Sequence, residues 1–331
     1  MRPSSPHILL RRADVPAFLV TDLTNVRYLS GVSVSAGLML VTQRRFILFV
    51  DERYRLEAEQ RRERGVMIRD VSAVATMLQQ LPECGFESDR TTVEQLLSWK
   101  RKYPSTKFIQ RIDVLEHFRR QKSEEELRLL RRAQKITREL LRRVPFALRR
   151  AGTEEKLARQ LQIWAIELGA DGVSFDPIVA FGTHTSVPHH RPTSRSLQKG
   201  HIVQIDVGAK VGGYCGDMSE VFFTAQPTPQ QAKVYQIVCE AQKKAMRAVK
   251  AGVTNRELDR IARDVLAREG IDHAFTHALG HGVGLEIHEG VSLSQKAPEM
   301  KLLKNEVITI EPGVYFPGKF GMRVEEMVFV P

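Results

Sequence analysis

Cysteine is scarce in this chain. Its three thiols, Cys84, Cys215 and Cys239, lie far apart and never form a Cys-x-x-Cys pair. An odd, scattered set of this kind builds neither a disulfide framework nor a thiolate zinc site, and it suits a reducing compartment. Long apolar runs are also missing, since no stretch approaches the roughly 18 residues that a membrane span needs. Between Met1 and Asp14 only Ile8-Leu9-Leu10 is apolar, too little for the hydrophobic region of a secretory leader. These absences point to a cytoplasmic protein without a membrane partner. The net charge of +11 could suggest nucleic acid. However, the excess gathers between Arg119 and Arg150 without the interleaved aromatics on which base-stacking proteins rely. A solvated basic helix face is expected there, not a nucleic-acid site.

What remains is ordinary globular material, 42% hydrophobic and 27% charged over 331 residues, enough for two domains. The first part reads as an α/β unit. Ala17–Val20, Leu38–Val41 and Phe46–Val50 are expected as buried strands, and Glu52–Arg64 and Thr92–Tyr103 as helices. Ser123-Glu124-Glu125-Glu126 is a capping box, followed by a stripe of Leu127, Leu130, Ile136, Leu140 and Leu141. The expected domains are residues 1–117 and 118–331. The second of these looks duplicated. Ala151-Gly152-Thr153 opens one helix and Thr254 opens another 101 residues after Thr153, with Leu157 matched by Leu258. Each half reads as helix, helix, strands, with Thr228-Pro229-Gln230-Gln231 capping the earlier helix of the second half.

The chemistry gathers on the second part. From His277 to Glu289 the chain places three histidines around glycines 280, 282 and 284, a density that permits tight turns and close approach to a ligand. Two hairpins supply carboxylates. His201–Ala209 and Tyr214–Phe223 flank Lys210-Val211-Gly212-Gly213, and folding about the middle of that tetrad sets Asp206 opposite Asp217. Like charges facing one another destabilise a sheet unless a cation lies between them. Val307–Phe316 turns through Pro317-Gly318-Lys319-Phe320 into Met322–Val330. Centring that turn on Gly318 faces Glu311 with Glu325, or with Glu326 after one residue of slip. One imidazole, His281, with four carboxylates suits a pair of fairly hard divalent ions.

These residues resemble the pita-bread metallopeptidases, the superfamily of methionine aminopeptidase, aminopeptidase P and prolidase, and specifically its Xaa-Pro branch. The similarity spans nearly the whole chain. Asn25-Val26-Arg27-Tyr28-Leu29-Ser30-Gly31 and Val50-Asp51-Glu52-Arg53-Tyr54 resemble a creatinase-type N-terminal domain. The five ligand motifs stand as Gln204–Ala209, Gly216–Ser219, Gly280–Leu285, Thr309–Gly313 and Arg323–Glu326, and the last selects Glu325 over Glu326. The resemblance implies an α/β N-terminal domain followed by a pita-bread catalytic domain of two pseudo-symmetric halves. It also implies removal of an N-terminal residue that precedes proline, from a di- or oligopeptide. Asp206 would hold one metal, His281 and Glu311 the other, and Asp217 and Glu325 both, with manganese foremost and cobalt, zinc or iron as alternatives. Glu311 would also accept a proton from the attacking water. His189, within Val187–Thr193, and His288, within Glu286–Glu289, would be the catalytic histidines. His277 would line the proline side and Arg323 would orient the carboxylates. A homodimer is expected.

Two departures stand out. The family usually has threonine and arginine after the bridging aspartate, where this chain has Ser219 and Glu220. The sequence also ends at Pro331, directly after the Glu325 strand. The rival readings are methionine aminopeptidase and a non-catalytic pita-bread protein that binds through its basic helix.

Overall fold

The structure, a computed structural model, describes residues 2–149 and 152–331. Arg150 and Ala151, the ends of the basic stretch and of the Ala-Gly-Thr signal, therefore lie outside the described residues. The chain separates into two compact units, Met1–Arg119 and Arg120–Pro331.

The expected strands of the first unit form as β1 (Ala17–Val20), β2 (Leu38–Thr42) and β3 (Phe46–Val50). The expected helices form over Glu52–Arg61 and Val93–Lys102. Three further strands, β4 (Val66–Asp70), β5 (Glu83–Glu87) and β6 (Lys107–Arg111), complete a six-stranded mixed sheet in the order β4-β3-β2-β1-β5-β6. They were not apparent from the sequence because charged residues interrupt them, while β1 to β3 are nearly continuous apolar runs that bury on both faces. Leu19, Leu40, Phe49 and Phe86 anchor one side of this core.

The second unit opens at the Ser123 capping box, where the Ser123 hydroxyl accepts from Glu126 N and the Glu126 carboxylate accepts from Ser123 N. A cap of this kind contributes about 1 kcal/mol. The helix it begins, Glu124–Leu148, buries the whole expected stripe from Leu127 to Leu141. The duplication is visible in the architecture. Helices Glu154–Glu167 and Asn255–Arg268 are each 14 residues long, and a threonine side chain accepts from the third residue on at the start of both. Among the described residues, no helix is long and apolar enough to cross a membrane.

Short strands follow each helix pair. The first half holds β7 (Gly172–Val173), β8 (Ile178–Phe181), β9 (Ile202–Val207), β10 (Ala209–Val211), β11 (Tyr214–Cys215) and β12 (Met218–Phe223). The second holds β13 (Gly280–His281), β14 (Ser292–Leu293), β15 (Val307–Ile310), β16 (Gly313–Phe316), β17 (Phe320–Arg323) and β18 (Glu326–Phe329).

The first hairpin corrects the expected register. Asp206 on β9 faces Ser219, and Val207 faces Met218, so Asp217 lies diagonally from Asp206 instead of opposite it. The turn is centred on Gly212 and Gly213, with φ of 54° and 77°. A two-residue turn with positive φ at both central positions excludes Val211, whose branched Cβ disfavours that conformation. The second hairpin has the expected register. Phe316 faces Phe320 about Gly318, Gly313 faces Arg323 and Ile310 faces Glu326, which leaves Glu311 and Glu325 facing across the interruption between the two ladders.

The basic stretch also needs correction, because its first members are buried. Arg120 donates to both oxygens of Glu306, at 2.6 and 3.0 Å. Lys122 pairs with Glu289 at 3.0 Å, both side chains almost wholly enclosed. Within the first unit, Arg119 donates to the Asn25 side-chain oxygen at 2.9 Å. Solvated arginines begin only beyond them, for example Arg128 and Arg142.

Candidate active site

The glycine-rich segment owes its path to its own backbone. A Cβ at Gly280 would strike the Thr309 carbonyl, and one at Gly282 the Glu289 carbonyl. At Gly284 it would strike the Glu289 carboxylate. The close approach that glycine permits is therefore to the chain itself, which pins His281 beside β15. The Thr309 hydroxyl sits behind both, accepting from His281 N at 3.1 Å and donating to Glu311 Oε1 at 3.2 Å.

His281 Nδ1 donates to the Gly282 carbonyl at 3.1 Å, which leaves the Nε2 lone pair free. That nitrogen stands 3.5 Å from Asp217 Oδ2 and 3.5 Å from Glu311 Oε1. Burial first, and then the neighbouring His288, lower its pKa to about 4, so the ring is neutral at ordinary pH. Asp217, His281 and Glu325 offer one ligand atom each within 4.8 Å of one another.

Arg323 organises the opposite side. It donates to Asp206 Oδ2 at 2.6 Å, to the Ser219 hydroxyl at 3.0 Å, to Tyr315 Oη at 2.7 Å and to the Pro188 carbonyl at 3.1 Å. Ser219 in turn donates to Glu325 Oε2 at 2.9 Å. His277 closes the chain of bonds, with Nδ1 on the Ala278 carbonyl and Nε2 accepting from Tyr315 Oη at 3.1 Å. Burial, reinforced by Arg323, lowers the His277 pKa to about 3.

Four buried or nearly buried carboxylates thus surround one guanidinium. Burial, and after it Glu325, Asp206 and Glu311, push Asp217 well above the usual carboxylate range. Glu325 is raised by burial and then by Glu311 and Asp206, and Glu311 rises through burial although Arg323 opposes it. Two like charges 4 Å apart repel by roughly 4 kcal/mol at an effective dielectric near 20. One arginine cannot offset several such pairs. Asp206 Oδ1, moreover, is enclosed and has no hydrogen-bond partner. A buried acceptor left this way is costly, and a surplus of carboxylate oxygens, one of them unpartnered, is the donor set that hard divalent cations take.

All nine expected site residues line one cavity of about 870 Å3. The rings of His281 and His288 are 4.1 Å apart, and burial together with His189 lowers the His288 pKa. Glu220, which stands where the family usually has arginine, is not among the lining residues and sits on the other face of β12, where Glu326 helps to raise its pKa after burial. Tyr315, Thr309 and the Pro188 carbonyl were missed. Alternation from Glu311 marks Thr309 and Tyr315 as same-face neighbours, but no sequence signal marks a backbone oxygen.

A mixed α/β unit followed by a duplicated helix-and-hairpin unit with this nest of acids is the architecture of a creatinase-type domain joined to a pita-bread enzyme. The model of metallopeptidase family M24 matches residues 128–331, and the creatinase/prolidase N-terminal domain matches residues 7–121. The chain belongs to metallopeptidase family M24, whose members use divalent metal ions. It is 32% identical over 321 residues to a Xaa-Pro dipeptidase of Pyrococcus horikoshii, covering 96% of this chain and 90% of that one. Among solved structures it is similar to the X-Pro aminopeptidase of Thermotoga maritima, with TM-score 0.90, 30% identity and coverage of 98% and 95% of the two chains. The prolidase of Pyrococcus furiosus gives TM-score 0.89 at 30% identity, with 98% and 96% covered.

Proposed function

We propose that this enzyme hydrolyses the bond between an N-terminal residue and a following proline, with two divalent ions held by Asp206, Asp217, His281, Glu311 and Glu325, manganese being the ion of choice. The observation that carries the metal assignment is the enclosed, unpartnered Asp206 Oδ1 among carboxylates that a single arginine cannot balance. When bound, such ions polarise a carbonyl and activate water near neutral pH. The similarity to a Xaa-Pro dipeptidase, an X-Pro aminopeptidase and a prolidase supports the substrate class.

The protein's own groups then have distinct tasks. Glu311 accepts a proton from water at the centre of the nest. His189 and His288 face the same cavity and donate to the developing oxyanion and to the departing nitrogen. The Xaa-Pro amide has no N–H, so its nitrogen leaves as a secondary amine only by gaining a proton. His277, neutral and with both nitrogens engaged, offers its ring to the proline side. Arg323 orients Asp206 directly and Glu325 through Ser219.

The reading extends to a catalytic domain over residues 118–331, a homodimer and a cytoplasmic setting, the last in keeping with three unpaired thiols. Hydrolysis of Xaa-Pro against Xaa-Pro-Yaa peptides, with manganese added and metal content measured, tests the function and separates dipeptidase from longer-chain aminopeptidase. Absence of turnover on both, with metal bound, would overturn it.

A further inference from the structure

Outside the acidic nest, one buried carboxylate gathers an unusual number of donors. Glu154 begins the helix Glu154–Glu167 and is wholly enclosed. Its Oε1 accepts from Phe181 N at 2.8 Å and His184 Nδ1 at 2.9 Å. Its Oε2 accepts from His190 Nε2 at 2.9 Å, Thr193 N at 2.9 Å and the Thr193 hydroxyl at 2.7 Å. These partners bracket the segment from residue 181 to residue 193. Inside that bracket lie Pro188, whose carbonyl holds Arg323, and His189, which lines the cavity. The same segment leans on the strand that carries Arg323, because the Thr185 hydroxyl accepts from Gly321 N at 3.0 Å.

The second half of the duplication supplies an independent comparison. Asn255 occupies the matching place after its capping threonine and is equally enclosed. It fastens its segment through backbone groups alone, donating to Ser292 O and Pro298 O and accepting from Met300 N. The fastening point is shared by both halves, yet only in the first is it an acid with two imidazoles clasped on it. A fully coordinated carboxylate is stiffer than an amide held by three bonds, because charge-assisted bonds are shorter and stronger.

We propose that Glu154 is a positioning residue, whose carboxylate fastens both ends of the segment 181–193 and so sets where His189 and the Pro188 carbonyl stand in the cavity. The inference rests on the Xaa-Pro peptidase reading for its kinetic readout but not for its structural one. Glu154→Gln replaces an acceptor by a donor facing imidazole or amide N–H groups. It should lower kcat/KM by about 10²-fold, the scale of an ångström-sized misplacement, mainly through kcat and with metal content unchanged. If Glu154 acts through His189, the loss should not multiply with that of His189→Ala in a double-mutant cycle. Hydrogen exchange of amides 181–193 should quicken in Glu154→Gln, with no substrate present.

Should that variant fail to fold, His184→Ala removes one clasp from a partly exposed side chain and should give a smaller loss with the same non-additivity. Multiplying losses, or unchanged exchange in this segment, would overturn the positioning role. So would a metal equivalent lost on His184→Ala, which would make Glu154, His184 and His190 a metal site instead. A wild-type enzyme inactive on every Xaa-Pro peptide would strike the function reading alone, since the exchange experiment stands without it.

Discussion

Both units bury charge, and they do so to opposite ends. In the N-terminal unit Glu87 accepts from Thr21 N, Asp22 N and the Asn25 amide, at 2.7 to 3.0 Å. The same Asn25 donates to Glu116 at 2.8 Å and accepts from Arg119 at 2.9 Å. Acids, amide and guanidinium there account for one another. In the C-terminal unit Asp206, Asp217, Glu311 and Glu325 share one arginine, the nearby His281 is neutral, and Asp206 Oδ1 has no partner. Burial of charge alone thus distinguishes nothing. A surplus of one sign with an orphaned ligand atom marks a site that takes a cation.

The hardest blow to this contrast should come from Glu311→Gln. With the proposed ligand and proton acceptor lost together, nearly all Xaa-Pro turnover should disappear, and a robustly active variant would refute the role given to Glu311. Metal content measured alongside separates the two losses. Next in size are His189→Ala and His288→Ala, each expected to cost about 10²–10⁴ in rate with little change in bound metal. Unchanged turnover would make both mere lining residues.

Metal removal comes third. Manganese at a hundredfold above its dissociation constant should stabilise wild type by about 2.7 kcal/mol per site. Asp217→Asn removes a repelling charge and a proposed ligand at once. In chelator it should melt at or above the wild-type temperature, and with manganese it should gain much less. The diagonal placement of Asp217 leaves this expectation intact, because Asp206, Glu311 and Glu325 all still raise its pKa after burial.

The last test leaves turnover untouched and probes the balanced network. Burial, helped by Glu116, raises the Glu87 pKa from 4.5 to about 7 against the hydrogen bonds from Asp22, Thr21 and Asn25. The folded state then binds the proton more tightly than the unfolded one. The stability this group contributes is complete below pH 4.5 and is lost as pH rises through 7. Relative to wild type, Glu87→Gln should therefore gain stability across that window, by at most roughly 1.4 kcal/mol per pH unit, with turnover and metal content unaltered. Urea unfolding of both proteins at pH 4.5 and 7.5 checks it, and a pH-independent difference would refute the shift.

Local chemistry made much of this legible from the chain alone. Continuous apolar runs announced β1 to β3, the Ser123 and Thr228 capping boxes announced helices, and the repeat about Thr153 and Thr254 announced two related halves. The site acids and histidines were legible because each sits in a short motif of its own. Gly212-Gly213 also carried the true register, since only that pair tolerates positive φ at both turn positions, but the turn was centred one residue too early.

Other features depended on partners far along the chain. The place of Glu154 depends on groups 27 to 39 residues away, and Lys122 looked like a solvated cation until Glu289 met it across 167 positions. Sequence by itself determined which side chains could bind metal or move protons, because donor chemistry and turn preference belong to single residues and their neighbours. Tertiary structure alone decided which charges are balanced and which oxygen is left over. Those depend on burial and on through-space distance, and separation along the chain encodes neither.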